Sequence, residues 1–325
     1  MINFTIAIPT FNRNDKLKRT LESILPQLRP GIKICIFDNN SDVPVADTLA
    51  EYISDNVVVT RNRVNIGMSG NFIKCFDTCD TDWLWILGDD DPLQPDAISK
   101  IDLVFSQYSD LSFINFGSIL ASSRVESFMV HSQDELANKL DSFGNFLYIS
   151  LCMYNVKKLA AGYRYLYQYA YTFAPHIAFV FSCLGDKNVQ HNYLFCAENI
   201  INTDIRDTTV EETWNWIGLS LAIFLLSELN FGSSKLSRKR WQKHLASHVI
   251  HPKRVYSEIV KIDPNILHLN RDLYWYDQIF LRAKEAMSLR NYALFFAYRA
   301  LILLKSFFLK KSSVVEDSTS IYERL

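Results

Sequence analysis

Residues 89–91 are three adjacent carboxylates, Asp89, Asp90 and Asp91, placed directly after the apolar run WLWIL (83–87). Neighbouring carboxylates disfavour one another's ionisation, so a cation is expected close by. A divalent ion is the natural candidate, because Mg²⁺ and Mn²⁺ take oxygen ligands and commonly bridge protein carboxylates to substrate phosphates. An Asp triplet can also be a plain acidic turn, or lie at a helix N-terminus whose dipole accepts it. Three other polar clusters favour a ligand site. Thr10, Asn12 and Arg13 close the run FTIAIPT (4–10), DNNSD (38–42) closes KICIFD (33–38), and RNRVNIG (61–67) follows NVVVT (56–60).

Four polar clusters at the ends of four apolar runs need a scaffold that brings those ends together. Between the runs lie segments of helical spacing: 14–28, with Leu17, Leu21, Ile24 and Leu25 on one face, then 69–79 and 95–108. LSFINF (111–116) reads as a further strand. Apolar strands separated by helices predict an α/β fold with a mostly parallel sheet covered on both faces. Ligands bind such sheets at the carboxyl ends of the strands, so all four clusters are predicted on one rim. No GxGxxG follows the first strand and no GxxxxGK[ST] occurs, which excludes the usual dinucleotide and P-loop modes. A metal held by the triplet would then take over the neutralisation of phosphate charge.

The chain of 325 residues is 49% hydrophobic, enough for a sizeable core and against intrinsic disorder. Its six cysteines form no CxxC pair and read as reduced thiols of a cytosolic protein. The start MINFTIAIPTFNR lacks a basic stretch ahead of an apolar one, so no secretory signal is expected. Charge is unevenly spread. Residues 1–234 hold 17 Lys and Arg against 27 Asp and Glu, whereas residues 235–311 hold 16 against 5. The basic part suits an anionic surface; a solvated helical face is the plain alternative.

The four clusters resemble the signatures of the family 2 GT-A glycosyltransferases, inverting enzymes that move a sugar from a nucleotide diphosphate to an acceptor. IAIPTFNR is similar to the opening strand and its nucleotide-contacting turn, which implies donor contacts from Pro9, Thr10, Phe11 and Arg13. IFDNNSD resembles the second motif, with Asp38 towards base and ribose. RNRVNIGMSGNF resembles the third and retains Asn65 and Gly67, with Gly70 where an Arg is common. LGDDDPLQPDAI resembles the acidic metal motif, with Gly88 at the place of a frequent first Asp. The resemblance implies Asp89 towards the ribose and Asp90 on Mn²⁺ or Mg²⁺, supported by Asp91. Strand alternation would instead put Asp89 and Asp91 on one face.

Family members take their catalytic base from a Glu-Asp pair some way past the metal motif, and 160–200 contains none. YTFAPHIAFVFSCLGD (171–186) occupies that region, and its PH resembles a subgroup of bacterial O-antigen sugar transferases. His176, after a Pro suited to a first helical turn, is therefore the candidate base, with Asp186 second. A structural His under the cleft is the alternative. NTDIRDTT (202–209) resembles the segment whose basic residue reaches the diphosphate, which makes Arg206 a donor candidate.

The expected organisation is a GT-A domain, Rossmann-like with flanking helices, whose nucleotide-sugar half is 1–120 and acceptor half 121–210. A helical region over 211–311 and a loose tail over 312–325 follow. The donor implied is a nucleotide sugar, first of all a UDP-sugar, and the acceptor a glycan, lipid-linked as in many relatives. No nucleic-acid partner is expected. Neither 213–227 nor 291–309 has the length of uncharged apolar residues that spanning requires, so an anionic membrane surface would be met from the cytoplasmic side, peripherally. The alternative function is a nucleotide-sugar-binding or membrane-scaffold protein of the same fold without catalysis.

Overall fold

The computed structural model describes residues 2–118, 123–186, 188–202, 222–229, 234–249, 277–278, 280–281 and 287–309. The chain divides into two compact units, 1–211 with 230–232, and 212–229 with 233–325.

The first unit is built on an eight-stranded sheet of order β3-β2-β1-β4-β7-β5-β8-β6. The strands are β1 (Phe4–Thr10), β2 (Ile32–Asp38), β3 (Val57–Arg61), β4 (Trp83–Ile86), β5 (Phe113–Gly117), β6 (Phe128–Val130), β7 (Cys152–Asn155) and β8 (Tyr193–Asn199). The first four pair in parallel. β7 enters antiparallel between β4 and β5, β8 runs parallel to β5, and β6 closes the edge antiparallel. β4 is buried at every position, which explains its unbroken apolar run; β3, at the edge, is half exposed.

Helix α1 (Asn14–Ile24) buries Leu17, Thr20, Leu21 and Ile24 at helical spacing. It stops before the expected position 28 because Pro26 lacks the N–H needed to continue, and a 3₁₀ turn covers Leu25–Gln27. A short α2 (Val45–Thr48) follows β2, then α3 (Gly67–Asp77) and α4 (Ala97–Gln107) complete the crossovers. α5 (Gln133–Lys139) and α6 (Phe143–Leu147) begin on Ser132 and Ser142, whose hydroxyls accept from Glu135 N and Asn145 N. α7 (Tyr163–Gln168) and α8 (Pro175–Cys183) follow β7.

Because β7 is antiparallel to β4, residue Asn155 lies beside Trp83, at the amino edge of the sheet. The carboxyl rim, where β1, β2, β3 and β4 all end, carries the four polar clusters.

In the second unit, α9 (Lys235–Val249) buries Trp241 and Leu245, and Trp241 Nε1 donates to Leu226 O at 3.0 Å. α10 (Leu289–Leu309) packs Tyr292, Phe295 and Phe296 around Phe280, and Arg299 grips Asp277 through two bonds of 2.6 and 2.8 Å. Among the described residues no helix is long and apolar enough to cross a membrane.

Candidate functional site

The acidic triplet is not a strand continuation. β4 ends at Ile86, and Asp91 N donates to Gly88 O at 3.2 Å, closing a turn over 88–91. The turn spreads the three carboxylates in different directions, so the alternation expected of a strand does not apply. Asp89 points to the rim of β1, accepting from Thr10 Oγ1 at 2.7 Å and Arg13 Nη1 at 3.3 Å. Asp90 accepts from the same Arg13 Nη1 at 3.3 Å and from Lys16 Nζ at 3.4 Å. Asp91 turns the other way, into Tyr148 OH and Ser150 Oγ, the latter at 2.6 Å.

Gly88 has its reason here. A Cβ added to it would run into Asp91 Oδ2, and Gly88 N also donates to Ser150 Oγ at 2.8 Å. The expected metal pair Asp90 with Asp91 is therefore not brought together; Asp89 and Asp90 are, with one guanidinium between them. Burial pushes the Asp89 carboxyl up to about 6, against the pull of Arg13 and Thr10. Thr20 Oγ1 fixes the turn from α1 by donating to Asp89 O at 2.9 Å.

The loops that follow β1, β2 and β3 interlock. Asn12, at φ 56°, ties the first loop to the second: its N donates to Ser41 Oγ at 2.9 Å and its Oδ1 accepts from Asp42 N at 2.7 Å. Pro9 and Thr10 end β1, and Phe11 stands exposed on the loop. Asp38 is buried, and its oxygens take Ser41 N at 2.8 Å, Val45 N at 3.3 Å and Arg61 Nη1 at 2.6 Å. Burial raises that carboxyl, yet these donors outweigh it and hold it below the usual range. Asp38 thus organises its own loop. Asn65 Oδ1 accepts from Asn39 Nδ2 at 2.7 Å and from Gly67 N at 2.8 Å, which seats the start of α3 on the rim. Gly67 sits at φ 75°, a conformation that favours glycine.

The two candidate bases are placed otherwise than the sequence suggests. His176 is 3% exposed and does not open onto a cleft; its Nε2 donates to Leu147 O at 3.0 Å and its Nδ1 is buried without a hydrogen-bond partner. Burial drives its pKa down to about 4. The reason is the apolar helix around it, PHIAFVFSC, buried at nearly every position. Asp186 follows the far end of α8 and accepts from Asn188 N at 2.9 Å. It neighbours His191, which is bonded to Ser112 at the foot of β5, so it belongs to the amino edge. Arg206 lies outside the described residues; Asn202, described, donates its N–H to Pro92 O at 2.7 Å.

Residues 5–162 match the model of glycosyl transferase family 2. This chain's first unit carries a family 2 glycosyltransferase domain. Abequosyltransferase RfbV of Salmonella typhimurium is 30% identical over 112 residues, covering 33% of this chain and 34% of that protein. An uncharacterized glycosyltransferase of Haemophilus influenzae is 30% identical over 110 residues, 34% of this chain and 37% of its own length. The chain thus spans about a third of the length of these relatives. Among solved structures, S. aureus TarS 1–349 aligns over 96% of this chain and 91% of its own, with a TM-score of 0.58 at 12% identity. Its complex with UDP gives 0.60 at 11%. The fold is GT-A: a mostly parallel first half, a mixed second half and flanking helices.

Several residues of this rim site carry no local sequence signal. Tyr148 and Ser150 reach Asp91 across 57 and 59 positions, and only the insertion of β7 beside β4 brings them there. Arg61 was visible in its polar cluster, but its pairing with Asp38 depends on the parallel register of β2 and β3. Lys16 had a cue: it follows Arg13 by three positions, across the start of α1.

Proposed function

We propose that this protein transfers a sugar from a nucleotide-diphosphate donor, first of all a UDP-sugar, to a glycan acceptor with inversion, in assembly of a bacterial surface polysaccharide. The observation that carries this is the rim cluster in which Asp89 and Asp90 share Arg13 while Lys16 stands on Asp90. In the reaction an acceptor oxygen forms a bond to the anomeric carbon as the bond to the diphosphate breaks. The acceptor proton goes to a base, and the leaving diphosphate takes the electron pair. Negative charge grows on the diphosphate, and Arg13 and Lys16 are the side chains here that can meet it.

The residues fit a divalent ion. Asp89 and Asp90 offer only oxygen donors and already converge on a cationic group, and one or two carboxylates plus substrate phosphates suffice for Mg²⁺ or Mn²⁺. Bound there, the ion would supply Lewis-acid neutralisation of the leaving group. Asp91 would hold the turn that presents the other two.

The test is nucleotide binding against pH. Asp89 loses its charge as pH falls through about 6, so Mn²⁺-dependent affinity for UDP should drop clearly between pH 7.5 and 5. Calorimetry at both values reads it; equal affinities would remove Asp89 from the donor site. One observation favours the non-catalytic alternative: His176 is buried in apolar surroundings, and Asp186 belongs to the amino edge. Metal-dependent release of UDP from a UDP-sugar in the presence of acceptor separates the two.

The place of work proposed is the cytoplasmic face of a membrane, with a lipid-linked acceptor. α9 carries five Lys and Arg within 235–243, and α10 leaves Phe296, Leu301 and Leu304 about half exposed. Aromatic and aliphatic side chains beside cations suit an anionic interface. Flotation with phosphatidylglycerol vesicles should succeed at low salt and weaken at high salt. Flotation indifferent to lipid charge would return these helices to ordinary packing.

A further inference from the structure

The segment GYRYLYQYAYTF (162–173) places a tyrosine at every second position from 163 to 171. Along α7 and the 3₁₀ turn Ala170–Thr172 that follows it, they fall into two series. Tyr163 OH donates to Phe76 O at 3.0 Å and Tyr167 OH to Asp77, so these two hydroxyls fasten α7 to the end of α3. Tyr165, Tyr169 and Tyr171 form a second series: ring centroids lie 6.5 Å apart for the first pair and 6.2 Å for the second, the latter stacked at 22°. Arg164 lies 4.8 Å over the Tyr165 ring. Tyr171 is 57% exposed.

The series leads somewhere. α7 is anchored at the amino edge, where α3 ends and β4 begins. Beyond Tyr171 the chain reverses through Phe173, at φ 58°, and enters α8 at His176, whose Nε2 meets Leu147 O. Tyr148, the next residue, holds Asp91. The tyrosines therefore run from the end of α3 to the turn that enters α8, and α8 adjoins the 147–148 segment that holds Asp91. A bulky residue in the left-handed region costs on the order of 1 kcal/mol, and here it ends the row at the turn into α8.

We propose that Tyr165, Tyr169 and Tyr171 form a track for the sugar units of a neutral glycan acceptor, those beyond the one that reacts. The proposal rests on the transferase reading and extends it to the acceptor. A pyranose has an apolar C–H face and a hydroxyl edge, and tyrosine offers a flat ring with one hydroxyl. Tyrosine also gives rigid contact area at low entropic cost. Charge selects a neutral occupant: between Leu159 and Gly185, Arg164 is the only Lys, Arg, Asp or Glu, and it lies over a ring of the row. Anionic lipid and nucleic acid would call for a row of cations.

Saturation-transfer NMR with maltotetraose, cellotetraose, mannotetraose and chitotetraose tests it, with Mn²⁺–UDP affinity measured on the same samples. At least one tetrasaccharide should bind the full chain. The double variant Tyr165→Ala/Tyr171→Ala should bind it roughly ten- to thirtyfold more weakly, from two lost ring contacts. Tyr165→Phe/Tyr171→Phe keeps both rings and should stay within about threefold, and neither pair should change UDP affinity. No binding by the parent protein, or equal binding by the alanine variant, would overturn the track. So would an alanine variant that keeps its sugar binding and instead loses flotation with anionic vesicles. Sugar binding without any affinity for UDP would leave the track standing and remove the transferase reading alone.

Discussion

Asp90→Asn should lower transfer by roughly 10³-fold while leaving the melting temperature nearly unchanged. Asp90 is the outermost acid of the turn, and its partners are Arg13 at 3.3 Å and Lys16 at 3.4 Å, both partly exposed. Such pairs contribute about 0–1 kcal/mol each. Their loss is partly offset, because Asp90 also raises the buried Asp89 by repulsion. The catalytic loss has a different origin. On the proposed reading, an ion held by Asp89 and Asp90 would keep one carboxylate instead of two, and a departing diphosphate would meet less positive charge. Asp91→Asn is the contrasting variant. It keeps both rim acids but disturbs the bonds to Tyr148 and Ser150, so it should cost about 1–3 kcal/mol of stability. Calorimetric Mn²⁺–UDP affinity and thermal melts on both proteins separate the roles. An Asp90→Asn protein with normal turnover in saturating Mn²⁺ would remove Asp90 from the metal site.

The site divides by the range of its interactions. Thr10, Arg13, Asp38, Asn65 and the triplet were legible because each ends a strand, and a parallel sheet puts all such ends on one rim. The direction of each carboxylate was not legible. Alternation assumes an extended chain, whereas the bond from Asp91 N to Gly88 O makes a turn and sends Asp91 to residues supplied by β7's approach. Gly88, a departure from the expected motif in sequence, is what the closeness of Asp91 requires. The half after residue 120 was harder for the same reason. There β6 and β7 run against β5 and β8, so nearness in sequence no longer tells which edge a residue reaches. His176 and Asp186 are ten positions apart, yet the first is buried beside Leu147 and the second lies beside His191 at the amino edge.

His176 should prove to be a buried positioning residue for the 147–150 segment, and stability against pH should show it. Its folded pKa of about 4 lies below the ordinary 6.5. Between those values the unfolded chain carries a proton that the folded chain does not, so stability rises with pH across this window. The contribution is fully present above about 6.5 and is lost as pH falls towards 4, a swing of about 3 kcal/mol. His176→Phe keeps an aromatic ring of similar size but cannot titrate, and should lack that slope. Asp89 changes stability with the opposite sign over a similar range, since its folded value is raised; it is present in both proteins and cancels in the comparison. The variant loses the bond to Leu147 O, so some loosening of Tyr148 and Asp91 should appear as a weaker Mn²⁺ affinity, with turnover at pH 7 and saturating metal falling less than about tenfold. A loss of 10² to 10⁴ in turnover with metal and donor affinity intact is the mark of a missing general base and would overturn this assignment. Denaturant titrations of parent and variant at pH 4.5 and 7 decide the stability half, because an equal slope in both would show that the proton sits elsewhere.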